Sequence, residues 1–226
     1  MKDKYQKRAI GEILRIEDED RNKIHMKEIV FGTTNPGKIT HVQAALEPFG
    51  MKVIPITDLG DFEDIVEDGK NPQENSRKKA LAYCELVGRP VLAMDNALYF
   101  DGISDDKQPG MHVRRIPGIK GRATDQEMIE YYRALFESHG GEMTGHFEFS
   151  MCLVFPSGET HEKTAISKNR LFTHKLCKKR IPGYPLESMQ IDPDTGKYIA
   201  EMSKEEQDLF WQESISKELR YIFDLN

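Results

Sequence analysis

Residues 29–38 run Ile29-Val30-Phe31-Gly32-Thr33-Thr34-Asn35-Pro36-Gly37-Lys38, an apolar stretch that breaks into hydroxyl, amide and glycine residues and closes on a lysine. Those residue types suit an anion. Unpaired backbone N–H groups at a helix start, the positive end of the helix dipole, the Thr33 hydroxyl, the Asn35 amide and the Lys38 ammonium would converge on a phosphate, and a nucleotide is the natural guest. The spacing G-x-x-x-x-G-K from Gly32 to Lys38, with Val91-Leu92-Ala93-Met94-Asp95 as an apolar strand delivering an aspartate, also fits the outline of a P-loop NTPase. Ile39 stands where that loop needs a Ser or Thr hydroxyl for Mg²⁺, which makes it the weaker alternative.

The elements that would carry these groups alternate between strand and helix. Ile39, Val42 and Leu46 recur at helical spacing, Pro48 and Gly50 end that helix, and a second strand follows over 51–56. An acidic loop, 58–68, leads through Gly69 and Pro72 into a helix whose apolar positions are Ala80, Leu81, Cys84 and Leu86, and then into the short strand Val91-Leu92-Ala93. Residues 101–124, rich in Gly, Pro and Arg, predict a long surface excursion bordering a cleft. Met128, Ile129, Tyr132, Leu135 and Phe136 predict a helix stopped by Gly140 and Gly141. Phe147, Phe149, Met151, Leu153 and Phe155 alternate as a half-buried strand, Pro156-Ser157-Gly158 turns it into a hairpin partner over 159–168, and a final helix covers 204–223. Such alternation predicts an α/β fold.

The chain has 226 residues, 38% hydrophobic and 31% charged, enough for one domain with a proper core. Residues 1–26 are strongly charged and predict an extension ahead of a domain at 27–226. A formal charge of −6 argues against a general phosphate-backbone binder, so no nucleic acid partner is expected. No apolar run reaches the length of a membrane span, and three well-separated cysteines form no metal signature and no closed disulfide set. A reduced, cytoplasmic setting is the expectation.

Further motifs sharpen the picture: Glu67-Asp68-Gly69, Glu74-Asn75-Ser76-Arg77-Lys78-Lys79-Ala80, Ala93-Met94-Asp95-Asn96-Ala97-Leu98, Pro109-Gly110 and Ala200-Glu201-Met202-Ser203. In this order the chain resembles the inosine triphosphate pyrophosphatase, or Ham1-like, family over roughly residues 27–222. The resemblance implies an elongated mixed β-sheet flanked by helices in two lobes about a central cleft, a homodimer, and cleavage of non-canonical purine nucleoside triphosphates to monophosphate and pyrophosphate. It also implies Mg²⁺, or Mn²⁺ in its place. Carried over by motif, Thr33, Asn35, Gly37, Lys38 and Lys79 would bind the phosphates, with Arg115 replacing the family's loop arginine and Arg114 adding a cation. Glu67 and Asp95 would hold the metal, and Asp95 would serve as the base that activates water.

Departures from the family pattern carry expectations too. Met94 replaces the first acid of an Asp-Asp pair, and His41 replaces a helix glutamate and is expected to be exposed. In the base-recognition segment, Gly183-Tyr184-Pro185-Leu186-Glu187-Ser188, Tyr184 would stack on the base and Glu187 stand in for an aspartate. The closing element carries Gln207, Gln212 and Glu213 where the family has lysine, histidine and arginine. Acceptors at 212 and 213 would suit an exocyclic amino group and reject the oxo purines of ITP and XTP, predicting an amino-bearing or otherwise modified substrate. The competing expectation is a catalytically weakened nucleotide-binding protein of the same fold.

Overall fold

The structure, a computed structural model, describes residues 26–63 and 65–224. Of the charged segment 1–26, residues 1–25 lie outside the described residues. The sheet begins with β1 (Glu28–Phe31), in which Ile29, Val30 and Phe31 are all buried. An unbroken apolar run is what a parallel strand covered on both faces requires. It pairs in parallel with β2 (Lys52–Pro55), Glu28 facing Lys52, and with β3 (Val91–Phe100), Val30 facing Val91. Next comes the antiparallel β4 (Glu142–Val154), matched to β3 from Val91↔Val154 to Phe100↔Gly145. One end of β4 carries β5 (Thr160–Ile166) and the other β6 (Arg170–Thr173), on which β7 (Gln190–Ile191) closes the sheet. The order is β2-β1-β3-β4-β6-β7, seven strands with β5 included.

Among the described residues four α-helices cover the sheet: α1 (Pro36–Leu46), α2 (Pro72–Val87), α3 (Asp125–Ser138) and α4 (Lys204–Ile222). Each starts on a side-chain cap. Asn35 and Asn71 accept first-turn N–H groups, while Thr124 and Ser203 form capping boxes with Glu127 and Glu206. α2 ends on Gly88 in the left-handed conformation at φ 64°, which a Cβ would disfavour. Alternation along β3 sorts the layers: Leu92 and Met94 join the core under α1 and α4, whereas Val91 and Ala93 join the core under α2. A third core lies under α3, around Leu98, Phe100, Phe136 and Phe172.

Two expectations need correcting. β3 is ten residues long rather than three, because β4 pairs with it along its whole length, so Asp95 stands in mid-strand. On α2 Leu81 and Leu86 are exposed, and Lys79 and Tyr83 take the buried face instead. Strands β6 and β7, four and two residues long, are too short for any periodicity to announce them.

Candidate active site

The carboxyl end of β1, where open α/β sheets receive ligands, and the middle of β3 open onto a cleft of about 670 Å³. The loop after β1 is internally bonded. The Thr33 N–H donates to Phe31 O at 2.9 Å, the Asn35 N–H to Thr33 Oγ1 at 3.2 Å, and Asn35 Oδ1 accepts from the N–H groups of Gly37 and Lys38 at 3.0 and 3.4 Å. Pro36 has no N–H. The helix start expected to offer unpaired N–H groups is therefore already capped, and with it goes the backbone cradle of a P-loop. Apart from the Thr34 N–H, anion contacts must come from side chains. Lys38 Nζ donates to Met94 O at 3.2 Å and lies 3.8 Å from Asp95 Oδ1. Burial, and next the neighbouring Lys79 ammonium, lower the Lys38 pKa from 10.5 to about 8.

Gly37 is required by close approach. A Cβ there would lie 1.9 Å from Cε2 of Tyr184, whose ring rests on the first turn of α1. Gly37→Ala must push this ring from its seat. The expected result is a KM for nucleotide raised about 10- to 100-fold, the worth of one base-stacking contact, with a melting temperature near that of the parent. Steady-state kinetics beside a thermal scan check it.

Asp95 faces α2. Asn75 Nδ2 donates to Asp95 Oδ2 at 3.1 Å, and Asn75 Oδ1 accepts the Gly69 N–H at 2.8 Å, tying the loop that bears Glu67 to β3. Lys79 lies four residues further along the same helix face. Its Nζ reaches Glu67 Oε1 at 2.7 Å, Met94 O at 3.1 Å and Asp95 Oδ1 at 3.5 Å. Two carboxylates and a carbonyl thus converge on one cationic point. Among the described residues no group of three or more His, Cys, Asp or Glu could hold a metal. A pair of carboxylates nonetheless fits a hard ion that keeps several waters and takes further oxygens from phosphate. Arg115 Nη2 donates to Glu67 O at 3.4 Å, and Arg122 also lines the cleft.

The other end of the cleft is aromatic. His41 stacks on Trp211 with centroids 3.6 Å apart and meets the Tyr184 ring edge-on at 4.8 Å. Its Nε2 is 3.4 Å from Glu187 Oε1, yet burial outweighs that carboxylate and holds the imidazole below its ordinary pKa, hence neutral at pH 7. Arg114 pins the loop that carries Tyr184: its Nη2 donates to Asp125 Oδ1 and to Gly183 O, both at 2.7 Å, while the Gly183 N–H donates to Asp125 Oδ2 at 2.7 Å.

A model of the Ham1 family matches residues 29–213, which include the loop after β1, Glu67, Asp95 and the first half of α4. The chain belongs to the Ham1 family. Relatives include a dITP/XTP pyrophosphatase of Halalkalibacterium halodurans, 32% identical over 182 residues that cover 80% of this chain and 90% of the relative. Another, from Bacillus subtilis, is 34% identical over 140 residues, 61% of this chain and 68% of the relative. The HAM1 protein of Coxiella burnetii superposes with a TM-score of 0.68 at 22% identity, over 89% of this chain and all of that one, so the fold is shared.

This Ham1 chain brings most of the expected residues to one cleft: Thr33, Asn35, Lys38, Glu67, Lys79, Asp95, Arg115, Tyr184 and Glu187 all line it. Gln212 and Glu213 do not. Gln212 Nε2 donates to Ala44 O at 3.2 Å, toward α1, and Glu213, 64% exposed, pairs with Lys168 at 3.1 Å. A helix turns about 100° per residue, so with Trp211 on the cleft side its next two residues swing away. Gln207 is likewise spent on Ile199 O at 3.1 Å. The expectation of an amino-bearing base rested on those acceptors and loses its basis. His41 also departs from expectation, being 8% exposed. Sequence reasoning missed Arg122, Arg170, Gln190 and Trp211. Only Trp211 gave a signal, as the single tryptophan beside the closing motif; Arg170 and Gln190 reach the cleft through the β6–β7 register.

Proposed function

We propose that this Ham1-family chain hydrolyses a nucleoside triphosphate to the monophosphate and pyrophosphate. The observation that carries the reading is Lys79 Nζ, held within 3.5 Å of both Glu67 and Asp95 in a cleft whose far end is aromatic. The names of the dITP/XTP pyrophosphatase relatives agree with it. Water adds to the α-phosphorus, its proton passes to Asp95, and the bond from that phosphorus to the bridging oxygen breaks, so the electron pair leaves with pyrophosphate. Lys38, Lys79 and Arg115 face the charge that accumulates on the departing group, and Tyr184 fixes the base so that attack is in line. Glu67 and Asp95 would hold Mg²⁺, or Mn²⁺ in its place, which when bound neutralises phosphate charge. The homodimer and the cytoplasmic setting belong to the same proposal; no helix among the described residues is long and apolar enough to cross a membrane.

Hydrolysis in ¹⁸O-water tests the reaction. The label is expected in the nucleoside monophosphate and not in pyrophosphate. Label in pyrophosphate, release of orthophosphate, or nucleotide binding without turnover would each overturn the reading, the last in favour of a nucleotide-binding protein without catalysis.

A pH dependence follows from Lys38. With a folded pKa of about 8 against 10.5 for the unfolded chain, the unfolded state binds more protons across that interval. This group therefore makes the nucleotide-free protein more stable as pH rises from about 8 to 10.5, and up to about 3 kcal/mol is at stake. Substrate capture has the opposite sign, because the ammonium is what meets the phosphate. The expected profile of kcat/KM falls above pH 8, and Lys38→Arg moves that limb to higher pH.

A further inference from the structure

Arg170 projects from β6 into the inner wall of the cleft and is 3% exposed. Its Nη1 donates to Gln190 Oε1 at 2.9 Å, and its guanidinium carbon lies 4.5, 5.0 and 5.4 Å from the ring centroids of Phe210, Phe147 and Trp211. Among the described residues no carboxylate comes within ion-pair distance of it, and its buried Nη2 has no hydrogen-bond partner. Three further buried polar atoms from residues lining the same cleft make no hydrogen bond: Asn96 Oδ1, the Tyr184 hydroxyl, and Glu187 Oε1, which has the neutral His41 ring 3.4 Å away. Each such orphan is desolvated without compensation, which costs most when the group is charged. The guanidinium and the carboxylate among them describe a guest that would satisfy both.

A guanidinium only donates and a carboxylate only accepts. A planar base that satisfies both must present an acceptor beside a donor on one edge. The lactam edge of a 6-oxopurine does so, with O6 accepting and N1–H donating, whereas adenine presents the reverse pair, an amino donor beside an acceptor nitrogen. We propose that Arg170 is the specificity-determining cation of this site, its Nη2 donating to O6 of a 6-oxopurine while Glu187 accepts from N1–H. The positive charge missing from the closing helix at Glu213 is thus supplied from β6, whose guanidinium packs beside Phe210 and Trp211 of that helix. Gln190 is a positioning residue: it fixes one arm of the guanidinium so that the other is free for the base. The stacked rings hold its plane, a function a lysine cannot perform.

This inference rests on the pyrophosphatase reading, and the experiment separates the two. ITP and ATP are compared as substrates of the parent, Arg170→Met, Arg170→Lys and Gln190→Leu proteins, each with its melting temperature. Arg170→Met is expected to lower kcat/KM for ITP by about 10- to 100-fold and for ATP by less than about 3-fold. Arg170→Lys should fall between, and Gln190→Leu should narrow the ITP-to-ATP ratio while the protein keeps its charge, which preserves the test should Arg170→Met not fold. Equal losses on both substrates, or an unchanged ratio, would overturn the role of Arg170. If the parent cleaves neither triphosphate, the pyrophosphatase reading fails by itself. The Kd values of ITP and ATP then decide on Arg170, an unchanged ratio in Arg170→Met being the overturning result.

Discussion

Asp95→Asn is expected to reduce pyrophosphate release by about a thousandfold or more while the chain stays folded. The substitution keeps the side-chain shape, and the new amide oxygen can still accept from Asn75 Nδ2, now 3.1 Å away. What it removes is the group placed to take the proton from water, worth about 10²- to 10⁴-fold. It also removes one of the two carboxylates facing Lys79 and the one beside Lys38. Binding should respond differently. With one negative charge fewer against the phosphates, the affinity for a triphosphate in the absence of divalent metal should be equal or higher. Single-turnover kinetics and calorimetry on the same preparation check both halves, and an Asp95→Asn protein retaining a tenth of parental turnover would refute the assignment.

The second large effect is expected from Lys79→Met. Methionine preserves most of the stem that packs against the sheet, and Lys79 is only 7% exposed, so the loss is chiefly of charge. Glu67 and Asp95 would then face each other without the ammonium between them, and Met94 O would lose one of its two donors. Breaking a buried pair on one side costs about 3–5 kcal/mol. The Glu67 side chain, 34% exposed, can turn toward water, which puts the expected cost at the lower end, about 3 kcal/mol. A urea titration measures that. In the reaction the same change withdraws a cation from the polyanion, so the loss of affinity should be larger for a triphosphate than for its monophosphate. An equal loss for both would show that Lys79 supports the fold and does not meet the phosphates.

How much of this was legible beforehand differs from residue to residue. The run from Ile29 to Lys38 showed its strand, turn and helix, because the apolar stretch, Pro36 and the Asn35 cap act over a few residues. The same local view misjudged the N–H groups, since it did not see that Asn35 would spend its own side chain on Gly37 and Lys38. The motif around Asp95 points to a residue that does line the cleft, but not to its place in mid-strand, as the length of β3 depends on a partner more than forty residues away. Gln212 and Glu213 were assigned to the base by their place in a motif, whereas the angular position of Trp211 on α4 sends them elsewhere. His41 looked like a solvated helix residue until Trp211 was laid against it.

The linear chain by itself determined the alternating α/β order, the strand, turn and helix that lead to Lys38, and the acids and lysines whose chemistry suits a polyphosphate. Those properties belong to short windows, in which side-chain type, caps and turn residues act through covalent proximity. Tertiary structure alone decided which of those groups share a charge cluster and what faces the base. Lys79 meets Glu67 and Asp95 because α2 lies on the face of β3 that bears the odd-numbered residues. Arg170 and Gln190 meet because two very short strands pair at the sheet's far edge. Contacts of that kind come from packing between elements distant in sequence, so no window along the chain contains them.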